Sequence, residues 1–550
     1  MNTAMKKCTV LAILAVTIWA PVTAQNALPS RTLTIEGSYN PQATQAGKIM
    51  PVPDKPQLKS QRTDVSYLTQ PAPNTTHQRQ PMAVFSSRSD EVVPSALQGV
   101  ARLGYGLRNL HDGLVDLGWR ISDSDFLRVD GQMDGWSSKP DSDWRSRMYN
   151  IGLRTGYLHK FDRFDIGLEA GYSNSRYNYR PGVNMDSAKL ADSRLMRRVN
   201  RADVALGANG RFGQVTWNAK MAGLWLINNN LVVNNAVADD EQESQFIIDA
   251  AASMPLMDGT AGLGLGFRHL SYDWTAGNGQ KFQNFSTFTM SPYWAAQLGL
   301  FDFNFGFNMT VRSNIGPKFL ASPMVTMAYR LNDEFSLLAG LTGGLVENDM
   351  RTLESISPYY STQEQIVDGY DIVNLSMGAR YESGTWVSLS GRLGYRRTLD
   401  EVFQVAQSDM LVTSALKQQN SNVLYADVNA DMQFTDRAQV RFDFTYNNYM
   451  GHYPGYKMEL KPAFDMSLYS RVNVMGRLDA MLTYRLMLFN WIEGVAMPAV
   501  NDLALTFDYD FMDNLSFYAT VNKLAGGDFY YYAGYRALRP AFLLGATYRF

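Results

Sequence analysis

A chain of 550 residues with a net charge of −2 offers no electrostatic attraction to nucleic acid, and no basic run marks a phosphate-binding face. Tyr (30), Phe (28) and Gly (43) are abundant. Mean hydropathy is −0.23 and no long apolar run follows residue 25, which excludes a helical membrane protein.

The N-terminus reads as a signal peptide. Lys6 and Lys7 form a charged start, Cys8 to Ala20 a short apolar stretch, and Val22-Thr23-Ala24 a small-residue cleavage site before Gln25. Pro21 breaks the apolar stretch, which is too short to span a bilayer. Residues 1–24 are therefore expected to be removed on export. Cys8 is the only cysteine, so the mature chain is expected to hold neither disulfides nor thiolate metal sites.

Residues 25–96 are rich in Pro, Gln, Ser and Thr, and spaced prolines favour extended chain without a packed core. This segment reads as a periplasmic arm, with one short strand expected at 33–39.

From Leu97 to Phe550 the pattern changes to alternation with a period of two. Val440, Phe442, Phe444 and Tyr446 share one face, with Arg441, Asp443 and Thr445 on the other. Phe301, Phe303, Phe305 and Phe307 alternate with Asp302, Asn304, Gly306 and Asn308. Leu424, Ala426, Val428 and Ala430 alternate with Asp427, Asn429 and Asp431. The predicted strands are long enough to cross a membrane with tilt, which takes about 9–11 residues, and longer than the roughly 5–6 of globular sheets.

Short turns are predicted near 160–163, 213–214, 258–260, 299–300, 332–334, 383–385, 435–438, 475–477 and 513–514. Longer polar links are predicted at 178–198, 228–241, 350–371, 400–420 and 524–538. Short periplasmic turns alternating with long external loops are the topology of outer-membrane barrels. Trp119, Trp136, Trp225, Trp274, Trp386 and Trp491 fall near strand ends and read as two aromatic girdles. The fold class is thus all-β: a transmembrane antiparallel β-barrel of about 22 strands in the outer membrane of a Gram-negative bacterium, both termini periplasmic. Phe542, Leu544, Ala546, Tyr548 and Phe550 form an alternating row ending on an aromatic residue, which reads as the closing strand and the signal for barrel-assembly machinery.

The last hairpin carries a resemblance. Residues 515–550 read Leu-Ser-Phe-Tyr-Ala-Thr-Val-Asn-Lys-Leu, a Gly- and Tyr-rich loop, Arg539-Pro540, and a final Leu-Leu-Gly-Ala-Thr-Tyr-Arg-Phe strand. This looks like the last hairpin of TonB-dependent receptors, with Asn522 and Leu524 loosely matching an Asn-Leu pair and Arg539-Pro540 replacing a Gly-Arg corner. Residues 31–71 resemble the arm that precedes such barrels in Bacteroidetes, at Leu33-Thr34-Ile35-Glu36, Tyr39-Asn40-Pro41, Lys48-Ile49 and Val65-Ser66-Tyr67. The resemblance implies a large barrel and solute transport. The family's plug domain and TonB box find no match in the Pro-rich arm, so the expectation is a plugless relative.

Candidate lumen-lining residues are Asp302, Asn304, Asp427, Asn429, Asp431, Asp443, Asp508 and Asp510: a water-filled interior needs polar side chains, and acidic rings bias a pore toward cations. Arg194, Arg197, Arg198 and Arg201 are placed in an external loop, where guanidinium groups meet lipopolysaccharide phosphates. The five histidines show no metal-ligand spacing. His269 and Ser271 share a strand face, without a third group to complete a catalytic set. No phosphate loop, nucleophile elbow or zinc motif occurs. The chain is therefore expected to be no enzyme and to need no cofactor. Its expected partners are outer-membrane lipid and lipopolysaccharide, the assembly machinery, and a protein engaged through residues 31–71. Two functions follow: a transporter or channel for solutes, or a scaffolding subunit of an outer-membrane complex. A barrel this wide must be filled by loops, the arm or a partner.

Overall fold

The computed structural model describes residues 97–550 apart from 139–144, 183–195, 275–280, 451–460, 490–498 and gaps of one to three residues. The signal segment and the arm, with the strand expected at 33–39, lie outside the described residues.

Two-residue alternation becomes 22 antiparallel strands closed into a barrel. They begin with β1 (Leu97–Gly106), β2 (His111–Arg120), β3 (Asp125–Ser138), β4 (Ser146–Lys160), β5 (Phe164–Asn178), β6 (Met196–Phe212) and β7 (Val215–Asn229). Next come β8 (Glu241–Leu256), β9 (Gly259–Asp273), β10 (Phe285–Leu298), β11 (Phe301–Arg312), β12 (Phe319–Arg330), β13 (Phe335–Val346) and β14 (Gly369–Ser383). The rest are β15 (Val387–Ser408), β16 (Val412–Thr435), β17 (Ala438–Tyr449), β18 (Pro462–Asn473), β19 (Leu478–Phe489), β20 (Val500–Asp510), β21 (Leu515–Asn522) and β22 (Ala541–Arg549). Each pairs with its sequence neighbours, and β1 pairs with β22 from Val100–Arg549 to Gly106–Leu543. Pairing a strand on both sides leaves no open backbone edge.

Register assigns the faces. On β11, Phe305 is 62% exposed and Phe307 is also exposed, while Gly306 and Asn308, which alternate with them, are buried. Following the cross-strand partners round the ring carries this division through every strand. One row bears Leu103, Leu153, Leu206, Ile248, Met377 and Leu544, all exposed. The other bears most of the charge. Water-facing globular sheets bury their apolar row; here the apolar row faces outward, as lipid requires.

The turns divide into two ends. At one end, two-residue links such as 213–214 and 299–300 join the strands, with Gly213 (φ 62°) and Gly299 (φ 61°) in the left-handed region that tight hairpins demand. At the other end lie the long segments. The expected loop at 400–420 is a correction: most of it extends β15 and β16 to 22 and 24 residues, a hairpin that projects past its neighbours.

The seam between β1 and β22 is fastened on the inner face. The Tyr518 side chain lies over Gly104 and Gly545, where a Cβ would stand 2.3 Å from its hydroxyl oxygen and 2.4 Å from its ring. The Arg102 guanidinium sits 3.8 Å from the ring centre, and the Tyr518 hydroxyl donates to Asp112 at 3.1 Å. The Phe550 N–H donates to Gly99 O at 2.9 Å.

Candidate functional site

The eight polar residues singled out from the sequence all fall on the inner row, spread over β11, β16, β17 and β20. They do not converge on one point. Asp427, Asn429, Asp431 and Asp443 form one patch, where Asn429 lies opposite Asp443. Four of the carboxylates are paired with arginine: Asp302 with Arg330 (2.5 Å), Asp427 with Arg392 (3.3 Å), Asp431 with Arg441 (2.9 Å) and Asp510 with Arg549 (3.2 Å). Asp443 accepts from Ser467 at 3.5 Å, Asp508 is buried, and Asn304 lies opposite Thr326.

The same pairing recurs as Arg102–Asp112 (3.1 Å), Arg128–Asp116 (3.0 Å) and Arg485–Asp465 (2.7 Å). These arginines escape a search for carboxylates alone. Their signal is present in the sequence: Arg441 and Asp443 sit two apart on one face. The pairing neutralises several of the wall's carboxylates one by one.

The long-loop end holds the built site. Residues 347–368 leave β13 and return in β14, and carry helix α1 (Met350–Ile356) and a short strand at Tyr360–Thr362. Asp349 caps α1, accepting from the Thr352 N–H at 2.8 Å. Burial alone would raise the Asp349 carboxyl, but Arg268, the Gln245 amide and the Thr352 N–H hold it below its usual value.

This segment reaches the inner faces of strands far from its own roots. Glu354, buried, pairs with Arg201 of β6 and accepts from the Tyr177 hydroxyl of β5 at 3.1 Å. Arg197 of β6 is 0% exposed; it donates to Pro358 O and to Asn228 of β7, each at 2.8 Å, and its guanidinium lies 4.2 Å from the Tyr360 ring centre. Gln245 of β8 donates to Asp349 at 2.7 Å, and Glu243 accepts from the Met350 N–H at 3.1 Å. Arg268 of β9 pairs with Asp368 and reaches Glu347 at 3.5 Å. A segment rooted at β13 and β14 that bonds to inward side chains of β5 to β9 crosses the mouth of the barrel.

Two further segments meet it there. Tyr360–Thr362 pairs in parallel with Ser414–Leu416 at the tip of the long hairpin, and the Gln418 side chain receives the Val367 N–H at 2.9 Å. From the segment between β21 and β22, Tyr535 stacks on Tyr359 at 3.4 Å and donates to Val412 O at 2.7 Å. Leu226, Leu270, Met350, Leu353, Tyr359 and Leu416 belong to one buried apolar cluster, so the mouth has a core of its own. The cluster anchors the segment, and the charged contacts fix its register. Buried ion pairs add little net stability because desolvation offsets their attraction, yet losing one partner costs about 3–5 kcal/mol.

Several sequence expectations change here. Arg197 and Arg201 belong to strand β6 and point inward, while Arg198 between them points outward. Arg194 lies outside the described residues. Trp136 and Trp274 are buried, Trp274 stacking on Phe282 at 4.5 Å within the mouth cluster, whereas Trp119, Trp225 and Trp386 are exposed. Trp491 lies outside the described residues. His269 contacts Ser286 across the strand pair at 2.8 Å, in place of Ser271.

No protein-family model matches the sequence, and no curated protein matches it significantly. Solved structures do share the fold. A point mutant of the ferric enterobactin receptor PfeA from Pseudomonas aeruginosa, in complex with enterobactin, aligns with a TM-score of 0.65 at 11% identity, covering 83% of this chain and 82% of that one. The siderophore receptor PirA from Acinetobacter baumannii aligns with a TM-score of 0.64 at 13% identity, covering 84% and 81%. The siderophore receptor PirA from Pseudomonas aeruginosa aligns with a TM-score of 0.60 at 12% identity, covering 83% and 81%.

Proposed function

We propose that this chain is an outer-membrane transporter or channel for solutes, closed at its external mouth by its own segment 347–368 rather than by a separate plug domain. The observation that carries the reading is the attachment of that segment to inward Arg197, Arg201 and Arg268. A barrel wide enough to accommodate a folded domain would otherwise leave a large hole. The outward apolar row and complete backbone pairing suit a lipid environment, and the similar structures are of receptors for siderophores. The long-loop end is assigned to the outside and both termini to the periplasm. Opening is then release of the segment by a ligand or partner that binds the released form better. The inner wall of Arg–Asp pairs provides water-compatible polarity for a polar solute.

The test is conductance in a planar bilayer. The full chain should conduct poorly, and deletion of residues 350–362, bridged by a Gly-Ser linker, should open a large steady pore. A deletion variant that folds yet stays closed would overturn the reading. If removal of residues 31–71 instead released co-purifying proteins, a scaffolding role would replace it.

A further inference from the structure

The outer face of β4 to β6 carries a second feature, separate from the mouth. Arg147, Arg176 and Arg198 all fall on the outward row near the long-loop end. Register puts Arg176 directly opposite Arg198, and opposite Tyr149 on its other side, with Arg147 two residues along. Directly opposed side chains stand about 5 Å apart at Cβ, and like charges so placed destabilise a sheet. On the inner wall, arginines such as Arg102, Arg128, Arg330, Arg441 and Arg485 pair with carboxylates. Among the described residues none of the three has an ion-pair partner. Arg176 and Arg198 are exposed.

The neighbouring outward positions hold amides. Arg176 Nε donates to Asn174 at 3.0 Å, Asn174 donates to Asn200 at 2.7 Å, and Asn200 to Asn229 at 3.3 Å. The network orients the Arg176 guanidinium without neutralising it. Below this band, on the same face, Ile151, Leu153, Leu168, Val204 and Leu206 form an exposed apolar stripe. Charge above apolar surface is the profile of an amphiphile with an anionic head.

We propose that Arg147, Arg176 and Arg198 form a binding site for a phosphorylated lipid of the outer leaflet, such as the lipid A part of lipopolysaccharide. Its phosphates sit between the three guanidinium groups and its acyl chains lie along the stripe. Guanidinium–phosphate bonds are charge-assisted and frequently bidentate. The bound phosphate turns the Arg176–Arg198 repulsion into shared attraction. The inference rests on the membrane reading above and on assigning the long-loop end to the outside.

The experiment uses the folded full-length mature chain in detergent, with retained lipid counted by native mass spectrometry. The probes are bis-phosphorylated lipid A, the same lipid without phosphates, and inorganic phosphate. The native protein should retain lipid A at least tenfold more tightly than the dephosphorylated lipid. The triple variant Arg147→Gln, Arg176→Gln, Arg198→Gln should lose that preference. A control pair at the short-turn end, Arg163→Gln with Arg211→Gln, should keep it. Equal retention of the two lipids by the native protein overturns the proposal and needs no variant to fold. Binding of inorganic phosphate as tightly as lipid A also overturns it, since the site would then serve a free anion. Recovery of the native chain outside the outer membrane would defeat the membrane reading itself. Correct insertion with no phosphate preference would defeat only this site.

Discussion

Glu354 shows how much rests on single side chains. Among the described residues it is the one acidic partner at the mouth that joins both β5 and β6, through Tyr177 and Arg201. Replacing it with Gln keeps the shape and leaves Arg201 without its counter-ion, a loss of about 3–5 kcal/mol for a fully buried pair. Arg201 retains some solvent contact, so a smaller effect is expected. Single-channel recordings of Glu354→Gln should show frequent openings, and a Glu354→Gln, Arg201→Gln double variant should close again in part. Asp349 supplies a pH dependence. Its carboxyl is held below the ordinary 3.8, so its contribution is present above that value and is lost as pH falls through its lower folded pKa. Conductance should therefore rise as the pH falls below about 4, with Asp349→Asn flattening that rise. Phe305 and Asn304 test the faces. Phe305→Arg puts a charge in hydrocarbon at about 2–4 kcal/mol, while Asn304→Arg stays on the inner wall. Urea unfolding from vesicles should rank Phe305→Arg as the more damaging. At this scale the sequence is legible wherever alternation is continuous. It misleads at 197–201, because a strand read as a loop loses its period of two, and the inward Arg197 and Arg201 become indistinguishable from the outward Arg198.

Among the elements, the short turns are the most legible. Their Gly residues and the apolar rows on each side fix hairpins from local chemistry alone. The hairpin at 400–420 was hidden by polarity: strands that run past the membrane need no apolar outward row, so Glu401, Gln404, Gln418 and Gln419 look like loop. Helix α1 is short, with 7 residues, and its burial comes from distant partners rather than a periodic apolar face of its own. The parallel pairing of Tyr360–Thr362 with Ser414–Leu416 joins residues 54 apart, beyond the reach of local pattern. This pairing makes the hairpin tip a support for the closure. Deleting 402–418 should raise conductance and antibiotic sensitivity, but less than deleting 350–362, which removes the crossing segment itself. Equal effects would mean that the two segments close the mouth only as a unit.

For the whole molecule, strand number and closure could be read from the sequence because each hairpin repeats one rule and the count adds up. What fills the mouth could not, since Arg268 and Asp368 meet across 100 residues and only the closed ring brings them together. The complete barrel should migrate faster on a gel before heating than after, and should fractionate with the outer membrane. Phe550 is tied to Gly99 through its backbone and ends the last strand. Deleting it should lower the yield of folded barrel far more than deleting residues 82–89.

The seam between β1 and β22 also sets a problem of timing. Synthesis delivers β1 first and β22 last, and Val100 waits for Arg549 before its outer side is paired. Bringing such distant residues together is entropically costly, and topologies dominated by long-range contacts form slowly. Throughout that interval the growing sheet has two bare edges able to recruit another chain. The ring of Tyr518 over Gly104 and Gly545 can assemble only at the final step, so the contact that locks the barrel is also the one that certifies it is complete. A chain cut short anywhere before β21 would therefore be left permanently adhesive, whatever the quality of the strands it had already made.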